Sequence, residues 1–489
     1  MKRLLLLLCI FISIPSIIYA QEQKLTQFSE QTQECLSCHS TYTPGIVEDW
    51  LKSRHAVTTP ESALKSAPIN KRMSATNIPA NLLKNSVGCY ECHSLNADIH
   101  KDNFEHNGYK INVIVTPNDC STCHPEELKQ FSGSKKANAH DNLLKNPVYH
   151  TLVDSITGVK RLEQGKLITD KPTDQTLNDV CLGCHGTKVE VLGMKKISTA
   201  MGEMEVPNLT NWPNQGVGRI NPDGSKGSCA SCHTRHRFSI AEARKPYTCA
   251  QCHAEPDVPA WLVYKVSKHG NIFQSNQEKW NFDNVPWVLG KDFTAPTCAT
   301  CHNSLIVSPD GEVIAQRSHD FGARLWVRIF GLIYSHPQPK SGDTTVIKNS
   351  NGQTLPTSFD GKPASEFLIS KDEQLKRKDI MTGVCKACHS SNWVEGHFKR
   401  FDSTVAEADK MVKAATDLVS EAWKRKLADP SNPFDEGIEH MWINQWLFFA
   451  NTVRYASAMT GAYDYTGFNL GWWEMSRNLV EMHEKIYKK

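Results

Sequence analysis

The chain has 489 residues, of which 39% are hydrophobic and 22% charged, and its formal net charge is +3. So small a charge gives no support for nucleic-acid binding, which needs a clustered basic surface. The unusual part of the composition is its 17 cysteines and 20 histidines, and their spacing indicates the class of protein.

The amino terminus is predicted to be a secretory signal peptide, residues 1–20. Two basic residues precede an apolar run over 4–18, and cleavage is expected after the small residue Ala20. The mature chain would then act in the periplasm or an equivalent extracytoplasmic compartment. No transmembrane segment is expected in the mature chain, because the best candidate, 441–459, contains Arg454 and three amide side chains.

Eight times, two cysteines stand three apart with a histidine directly after the second, which is the attachment signature of c-type haem. Each cysteine forms a thioether with a haem vinyl group, and the histidine becomes the proximal ligand of the iron. We therefore predict eight covalent haem c groups, held by motifs 1 to 8 in chain order. The cysteines are Cys35, Cys38, Cys89, Cys92, Cys120, Cys123, Cys181, Cys184, Cys229, Cys232, Cys249, Cys252, Cys298, Cys301, Cys385 and Cys388, and the proximal histidines are His39, His93, His124, His185, His233, His253, His302 and His389.

Zinc is the rival interpretation of C-x-x-C pairs, but zinc does not need a histidine at the next position. At the histidine content of this chain, eight such histidines arise by chance with a probability on the order of 10⁻¹¹. The one remaining cysteine, Cys9, lies in the signal peptide. No structural disulfide is therefore expected in the mature chain.

The predicted fold class is mainly α, a multihaem cytochrome c with little regular sheet. We expect an octahaem-binding catalytic region over 21–395, whose core is packed by haem, and a C-terminal helical region over 396–489 for packing and oligomerisation. Between motifs 7 and 8, the stretch 335–365 is rich in Pro, Gly, Ser and Thr and is predicted to be a long surface loop.

Three helices are predicted after motif 8, because apolar residues recur there at helical spacing. The first apolar stripe covers 405–422, and Thr404 with Glu407 fits a capping box at its start. Two further stripes cover 438–456 and 472–486.

Twelve histidines lie outside the motifs, and seven of them are needed as distal ligands if one haem stays open for substrate. His236 follows the proximal His233 by only three residues and cannot reach the opposite face of the same porphyrin, so we expect it to bind a neighbouring haem. His440 and His483 lie in helices without motifs and are interpreted as structural. The predicted distal ligands are His55, His106, His140, His236, His269, His319 and His397, with His100 and His150 as replacements.

Four further segments carry a sequence resemblance in addition to the motifs. They are residues 211–224, 229–236, 267–270 and 331–337. Together with the eight motifs, they resemble the hydroxylamine oxidoreductase family of octahaem cytochromes over nearly the whole mature chain. No motif ends in lysine, which distinguishes the chain from the pentahaem nitrite reductases.

The resemblance implies a five-coordinate catalytic haem at motif 4, seven bis-histidine haems that conduct electrons, and a homotrimer. Oxidative members of the family carry an Asp-His pair over the catalytic iron. Here Asp257 is followed by Val258, and a valine cannot carry a proton. Oxidative members also carry a tyrosine that bonds to the catalytic haem of a neighbouring subunit. Tyr465, or else Tyr463, is the candidate here, against the alternative that both only pack.

These departures favour a reductive enzyme, which would take electrons from a partner cytochrome or a quinol-linked donor and reduce nitrite or hydroxylamine. Asp257, Tyr334 and His336 are the expected proton relays, and Arg219 or Lys268 the expected anion-binding cation. Three alternatives stay open. They are oxidation of hydroxylamine or hydrazine to nitric oxide or nitrite at a tyrosine-crosslinked haem, electron transfer without catalysis, and reduction of sulfur oxyanions.

Overall fold

The computed structural model describes residues 28–199, 201–330, 333–459 and 465–488. The predicted signal peptide, with Cys9, and the crosslink candidate Tyr463 lie outside these ranges. Tyr465 is described by its backbone alone. Helices account for 48% of the structure and strands for 12%, which confirms the mainly α fold class with little sheet.

Short helices carry the haem motifs. In motifs 3 to 6 and in motif 8, the histidine N–H donates to the carbonyl of the first cysteine at 2.9 to 3.1 Å. One closed helical turn therefore brings both sulfurs and the imidazole to the same face, since residues three and four apart are neighbours on a helix. The helices of this part are α1 Glu30–Tyr42, α2 Pro44–Leu51, α3 Arg54–Val57, α4 Pro60–Leu64, α5 Cys89–His93, α6 Pro117–Cys120, α7 Pro125–Ser132, α8 Ala139–Leu144, α9 Pro147–Thr157, α10 Asp174–Val180, α11 Leu182–His185, α12 Ala230–His233, α13 Ile240–Arg244, α14 Pro246–Ala250, α15 Ala260–Val266, α16 Lys268–Asn276 and α17 Cys298–His302.

The strands form small sheets at the edges of the helical part. Four are antiparallel pairs, β1 with β2, β3 with β4, β5 with β6, and β10 with β11, and β7, β8 and β9 form a three-stranded sheet. Asn107 and Gly108 join β1 to β2 with positive φ angles of 51° and 79°, which is the geometry favoured in two-residue hairpins. The strands are β1 Asn103–His106, β2 Tyr109–Asn112, β3 Val159–Glu163, β4 Lys166–Asp170, β5 Val191–Thr199, β6 Gly202–Leu209, β7 Trp287–Val288, β8 Ile306–Val307, β9 Val313–Ala315, β10 Val327–Arg328 and β11 His336–Pro337.

Long helices follow motif 8, as predicted, and one more helix, α18, leads into that motif. Two π-helical segments, Asn444–Phe449 and Phe468–Trp472, interrupt the last of them. In the described part of the chain, no helix combines the length and apolar character needed to cross a membrane. These helices are α18 Lys371–Lys386, α19 Ser391–Lys424, α20 Gly437–Ile443, α21 Ala450–Met459, α22 Tyr465–Gly467 and α23 Trp473–Tyr487.

The predicted start of the first C-terminal helix at Thr404 was wrong. Helix α19 already begins at Ser391, and Thr404 is buried in its middle. Ser390, the residue before α19, has the extended backbone of an N-cap. No proline interrupts the 34 residues of the helix. An S/T-x-x-E sequence inside a continuous helix satisfies the capping pattern without marking a helix end.

The C-terminal helices pack around a core of their own side chains. The small and branched residues of the α19 stripe, such as Ala408, Val412 and Val419, are fully buried. They pack against Trp442 and Trp446 from the following helices. Apolar burial of this kind stabilises the bundle without any cofactor.

One charged residue lies inside this core. Arg454 is 0% exposed and forms an ion pair with Asp409 on α19. Its guanidinium also donates to the carbonyl of Ile333 at 3.0 Å and to Oδ1 of Asn451 at 3.3 Å. The pair therefore ties the segment before β11 to both α19 and α21.

Candidate functional site

A cavity of about 2130 Å³ is lined by residues from Lys52 to Met459, most of them from the part of the chain before motif 8. Residues of motifs 2 to 8 line it. Pockets for single small ligands typically measure about 300 to 1,000 Å³. A space of this size, bordered by seven attachment motifs, fits a set of large cofactors rather than one substrate.

Four motif histidines each lie opposite a second imidazole. A metal bound between two imidazoles, with bonds of about 2.0 to 2.1 Å, separates the ring centres by about 6 Å. The observed separations are 6.1 to 6.4 Å, so the residues present fit axially ligated haem. The pairs are His39 with His106 (motif 1), His124 with His55 (motif 3), His233 with His319 (motif 5) and His389 with His269 (motif 8).

The remaining predicted distal ligands lie near motifs without facing an imidazole at this distance. His236 is close enough to His93 of motif 2 for that charge to add to the burial that lowers the pKa of His236. His140 lies near His185, and its Nδ1 is 3.0 Å from Oδ1 of Asp141. His397 stacks on Trp393, with 5.3 Å between ring centres, and lines the cavity.

Three other histidines are placed away from iron-binding geometry. His150 is half exposed and lies 3.9 Å from Asp154. His440 lies on α20 and His483 stacks on Tyr487 of α23, so both lie in helices without a motif, in accordance with their structural interpretation.

His100 is buried between two carboxylates. Its Nδ1 lies 3.3 Å from Asp102 and its Nε2 lies 3.1 Å from Asp119. Burial alone would lower the pKa of His100, but the hydrogen bonds to Asp102 and Asp119 outweigh burial and raise it to about 10. With both ring nitrogens occupied, His100 is not available as a replacement ligand.

This cluster predicts a pH dependence of stability. Since the folded protein raises the pKa of His100, the stabilisation is complete below the ordinary value of 6.5 and is lost as the pH rises through about 10. We expect the free energy of unfolding to fall by up to about 4 kcal/mol across that window. Denaturation midpoints of the wild type and of His100→Gln, measured from pH 6 to pH 10, should converge at high pH. Parallel curves would contradict the assignment.

The pocket at motif 4 brings together groups that the sequence did not connect. Asp257 lies near Cys181, Cys184 and His185, since its charge acts on the pKa of each. A hydrogen bond of 3.0 Å from Nδ2 of Asn451 to the Asp257 carbonyl fixes the loop.

Two tyrosines and an arginine complete this part of the cavity, namely Tyr149, Tyr455 and Arg328. Burial raises the pKa of the Tyr455 hydroxyl, with Arg328 opposing the shift and Asp257 adding to it. Burial also raises the pKa of Tyr149, again opposed by Arg328. Both phenols are therefore protonated donors at neutral pH, beside one cation and one carboxylate.

Val258 is the direct neighbour of Asp257 and is 7% exposed. Its side chain contributes an apolar wall at the place where the oxidative relatives are expected to carry a histidine. Asp257, Tyr149 and Tyr455 are therefore the proton-carrying side chains of this pocket, and the imidazole near Asp257 is that of the motif histidine His185.

The other predicted pocket residues take different places. Tyr334 donates to the carbonyl of Phe359 at 2.9 Å and packs in the C-terminal core. His336 is buried on β11, where it pairs with Arg328 of β10 and donates from Nδ1 to the Pro337 carbonyl, but it does not line the cavity. Sequence proximity to motif residues could not show which way these side chains point.

The side chains of the two predicted anion-binding cations are engaged elsewhere. Arg219 packs its backbone against Gly186 beside motif 4, but its guanidinium donates to Oδ1 of Asn221 at 2.7 Å and lies over Trp212. Lys268 begins α16, next to the His269 that faces motif 8. Arg328 and Lys136, which carry no motif signal in the sequence, are cations that the fold brings near this pocket.

The proximal side of motif 4 is built from backbone contacts. Nδ1 of His185 donates to the carbonyl of Ala139 at 3.0 Å, which orients the ring. Gly186 follows directly with a φ of +93°, and a Cβ there would lie 2.1 Å from the nitrogen of Arg219. Only glycine fits, because both the conformation and the space exclude a side chain.

Gly186→Ala is therefore expected to lower the free energy of unfolding by about 3 kcal/mol or more and to reduce haem attachment at motif 4. The haem-to-protein ratio and a denaturation curve would measure both effects. Gly193→Ala is the matched control, because Gly193 has a φ of +100° but open space around it. Equal losses in the two variants would contradict the steric argument.

The cysteines connect the eight motifs into one series, because sulfurs of different motifs lie close enough to influence one another's pKa. Motif 6 neighbours motifs 4, 5 and 7, so it is the junction of the series. Neighbouring cysteines from different motifs include Cys35 with Cys89, Cys92 with Cys123, Cys120 with Cys229, Cys232 with Cys249, Cys184 with Cys252, Cys249 with Cys298 and Cys301 with Cys388.

Comparisons with known proteins find multihaem cytochromes. The model of a family described as seven times multi-haem cytochrome CxxCH matches residues 218–311, and that of cytochrome c554 and c-prime matches residues 34–112 and 119–206. A solved structure described as a hypothetical multiheme protein is 41% identical and superposes with a TM-score of 0.88, over 96% of this chain and 98% of that one.

Two similar proteins come from Kuenenia stuttgartiensis. A probable nitrite reductase-hydroxylamine oxidoreductase fusion protein is 28% identical over 421 residues, which are 81% of this chain but 38% of that protein. The chain thus spans less than half of that relative. A structure of a reducing HAO-like protein complex shares the fold, with a TM-score of 0.62 and 18% identity, over 94% of this chain and 85% of that one.

Proposed function

Because the chain belongs to the hydroxylamine oxidoreductase family of multihaem c-type cytochromes, we propose that it reduces nitrite or hydroxylamine at the haem of motif 4. Eight haems fill the motifs, and seven of them conduct electrons to that site. The protein is exported to an extracytoplasmic compartment after loss of residues 1–20 and assembles as a homotrimer. The fusion relative, with its nitrite reductase part, supports the substrate class.

The pairing of Asp257 with Val258 carries the proposal. Oxidation of hydroxylamine releases protons that a base must accept, whereas reduction consumes protons that acids must supply. The pocket offers hydroxyl hydrogen-bond donors, in the protonated phenols of Tyr149 and Tyr455, and places an apolar side chain where a base would stand. This set of side chains suits proton delivery.

Arg328 and Asp257 have complementary roles in the proposal. The guanidinium attracts and orients an anion such as nitrite, because a buried or half-buried cation is screened weakly by solvent. Asp257 passes protons between the solvent-accessible cavity and the substrate, and Tyr455 holds a donor hydroxyl beside it. The Asn451 side chain keeps the Asp257 loop in place.

Haem c, held by the motif cysteines and histidines, would supply redox-active iron for electron relay and for binding a small nitrogen ligand. The chain's own contribution is the spacing, since sulfur contacts between motifs keep neighbouring porphyrins close. Electrons enter from a partner cytochrome or a quinol-linked donor at a motif far from motif 4.

Turnover in both directions tests the proposal. The purified holoprotein should consume nitrite and hydroxylamine when a reduced viologen dye supplies electrons. It should oxidise hydroxylamine or hydrazine at least tenfold more slowly with an electron acceptor. Faster oxidation than reduction, or no turnover in either direction, would overturn the reductive assignment.

A denaturing gel stained for haem provides a second check on the direction. We expect a band at the monomer mass after reduction and boiling, because a reductive enzyme does not need the tyrosine crosslink between subunits. A persistent trimer band would instead identify Tyr465 or Tyr463 as a crosslinking residue and favour the oxidative direction.

A further inference from the structure

We propose that the exposed face of α1 at motif 1 is the docking site of the electron-donating partner, and that this partner is a small redox protein with a basic rim around its own redox centre. The inference rests on the proposed function, because it names where electrons enter the haem series and what delivers them. It does not depend on which substrate is reduced at motif 4.

Motif 1 lies apart from the cavity that residues of the other seven motifs line. Among the motif cysteines of the described residues, Cys38, Cys252 and Cys388 are exposed. Cys252 and Cys388 line the cavity, whereas Cys38 does not. A haem attached through Cys38 therefore lies at the outer surface, where a partner can approach its edge.

One face of α1 carries the groups that such a partner would meet. Glu30, Glu34, Cys38 and Tyr42 follow one another at intervals of four residues, which places them on one ridge of the helix. All four are exposed. The 13 residues of α1 give the helix a length of about 20 Å, which suits the small contact areas of transient electron-transfer complexes.

This ridge ends in an apolar patch. Tyr42 is 50% exposed, and its hydroxyl donates to Sδ of Met201 at 2.9 Å. Met201 is 73% exposed just before β6. Ile46 is 45% exposed on α2, which packs against α1. Apolar side chains beside an exposed haem exclude water between two docked proteins, so they fit the centre of an interface whose rim is polar.

The charge of this surface favours a basic partner. The segment 28–51 contains four exposed carboxylates and no lysine or arginine. By contrast, the segment 371–402, which contains motif 8, has seven Lys or Arg residues against five Asp or Glu residues. Complementary charge steers and accelerates association, so a partner with a basic rim is directed to motif 1 rather than to motif 8. The four carboxylates are those of Glu30, Glu34, Glu48 and Asp49.

Motif 1 is also one end of the series of motifs. Cys35 neighbours Cys89 of motif 2, and the series continues through motifs 3, 5 and 6 to motif 4. In the proposed transfer, one electron leaves the partner's centre, which is oxidised, and reduces the ferric haem of motif 1 to the ferrous state. No atom moves between the two proteins in this step.

Stopped-flow electron transfer between the full-length holoprotein and mitochondrial cytochrome c tests the inference. That probe is a small basic haem protein with lysines around its haem edge, and the transfer is followed from the fully reduced holoprotein to the ferric probe. The second-order rate constant should fall by about tenfold or more as the ionic strength rises from about 0.01 M to about 0.15 M, because the Debye length shrinks from about 30 Å to about 8 Å. Cytochrome c with acetylated lysines should react slowly and depend little on salt.

The double variant Glu30→Gln with Glu34→Gln should lower the rate constant at low salt by about threefold to tenfold. With acetylated cytochrome c it should react like the wild type, which separates docking from a change in haem potential. Asp379→Asn with Glu395→Gln is the matched control, because it removes two exposed carboxylates from the helices that flank motif 8. This control should keep the rate constant of the wild type.

Three results would overturn the docking site. They are an unchanged rate constant in the Glu30→Gln and Glu34→Gln variant, a loss of equal size in the control, and the same loss with the acetylated probe. Light scattering of Tyr42→Ser should give the assembled mass of the wild type, since a changed mass would assign this face to a contact between copies of the chain and also overturn the proposal.

Nitrite turnover driven by a reduced viologen dye is read separately, because a small dye needs no docking site. Its absence in the wild type would overturn the proposed function, while the docking site would still be decided by the rate constants with cytochrome c.

Discussion

Asp257→Asn is expected to lower kcat for nitrite reduction by about 100- to 1,000-fold, with haem content and low-spin signals unchanged. The amide keeps the size of the side chain but cannot cycle a proton, and positioned proton transfer is worth about that factor. Because the anion is oriented by Arg328 in this scheme, KM for nitrite should change by less than about fivefold.

Steady-state kinetics with nitrite and with hydroxylamine would measure the effect. Glu255→Gln is the matched control, because Glu255 is an exposed carboxylate two residues earlier in the same loop that pairs with Lys265 at 3.5 Å. A loss of similar size in the control, or a rise in KM without a fall in kcat, would contradict the proton-relay role of Asp257.

Arg454→Met should be the most destabilising of the substitutions considered outside the haem sites, by about 3 to 5 kcal/mol. Methionine fills much of the space, but the carboxylate of Asp409 is left without its cation in a largely buried setting. The carbonyl of Ile333 and Oδ1 of Asn451 also lose a donor.

Denaturation followed by far-ultraviolet circular dichroism would give the free energy of unfolding. Arg477→Met is a suitable control, since that surface arginine of α23 is half exposed and its ion pair with Glu474 is worth about 0 to 1 kcal/mol. The double variant Arg454→Met with Asp409→Asn should recover part of the loss, because it removes the uncompensated charge. A single variant as stable as the control would contradict the argument.

The covalent part of the site was predictable from the sequence. Thioether attachment needs two sulfurs and a histidine at fixed spacing. The attachment site is therefore recognisable as a motif in a single sequence. The mainly α fold followed for a similar reason, because the stripe that contains Val412 and Val419 repeats at helical spacing. The distal candidates His55, His106, His269 and His319 could be proposed by comparing the number of histidines outside the motifs with the number of ligands needed. In the structure, each of them lies opposite a motif imidazole.

The rest of the site depends on contacts between distant segments. Arg328 reaches the motif 4 pocket from β10, Tyr455 reaches it from α21, and Lys136 reaches His253 across 117 positions of sequence. None of them belongs to a local pattern. Tyr334 and His336 are the opposite case. The sequence made both candidates for the pocket, but the fold places Tyr334 in the C-terminal core and His336 on β11.

The uneven filling of the interior has a consequence for biogenesis. The helices after motif 8 complete their core with side chains such as Trp442 and Met475, whereas the cavity of about 2130 Å³, lined mostly by residues before motif 8, is not filled by the polypeptide alone. Since the motifs precede the bundle in the chain, a polypeptide exported as proposed offers its attachment cysteines while that interior is still open. A secretion host with too little haem-ligation capacity should accumulate chains that are resistant to protease over the last hundred residues and cleaved throughout the remainder.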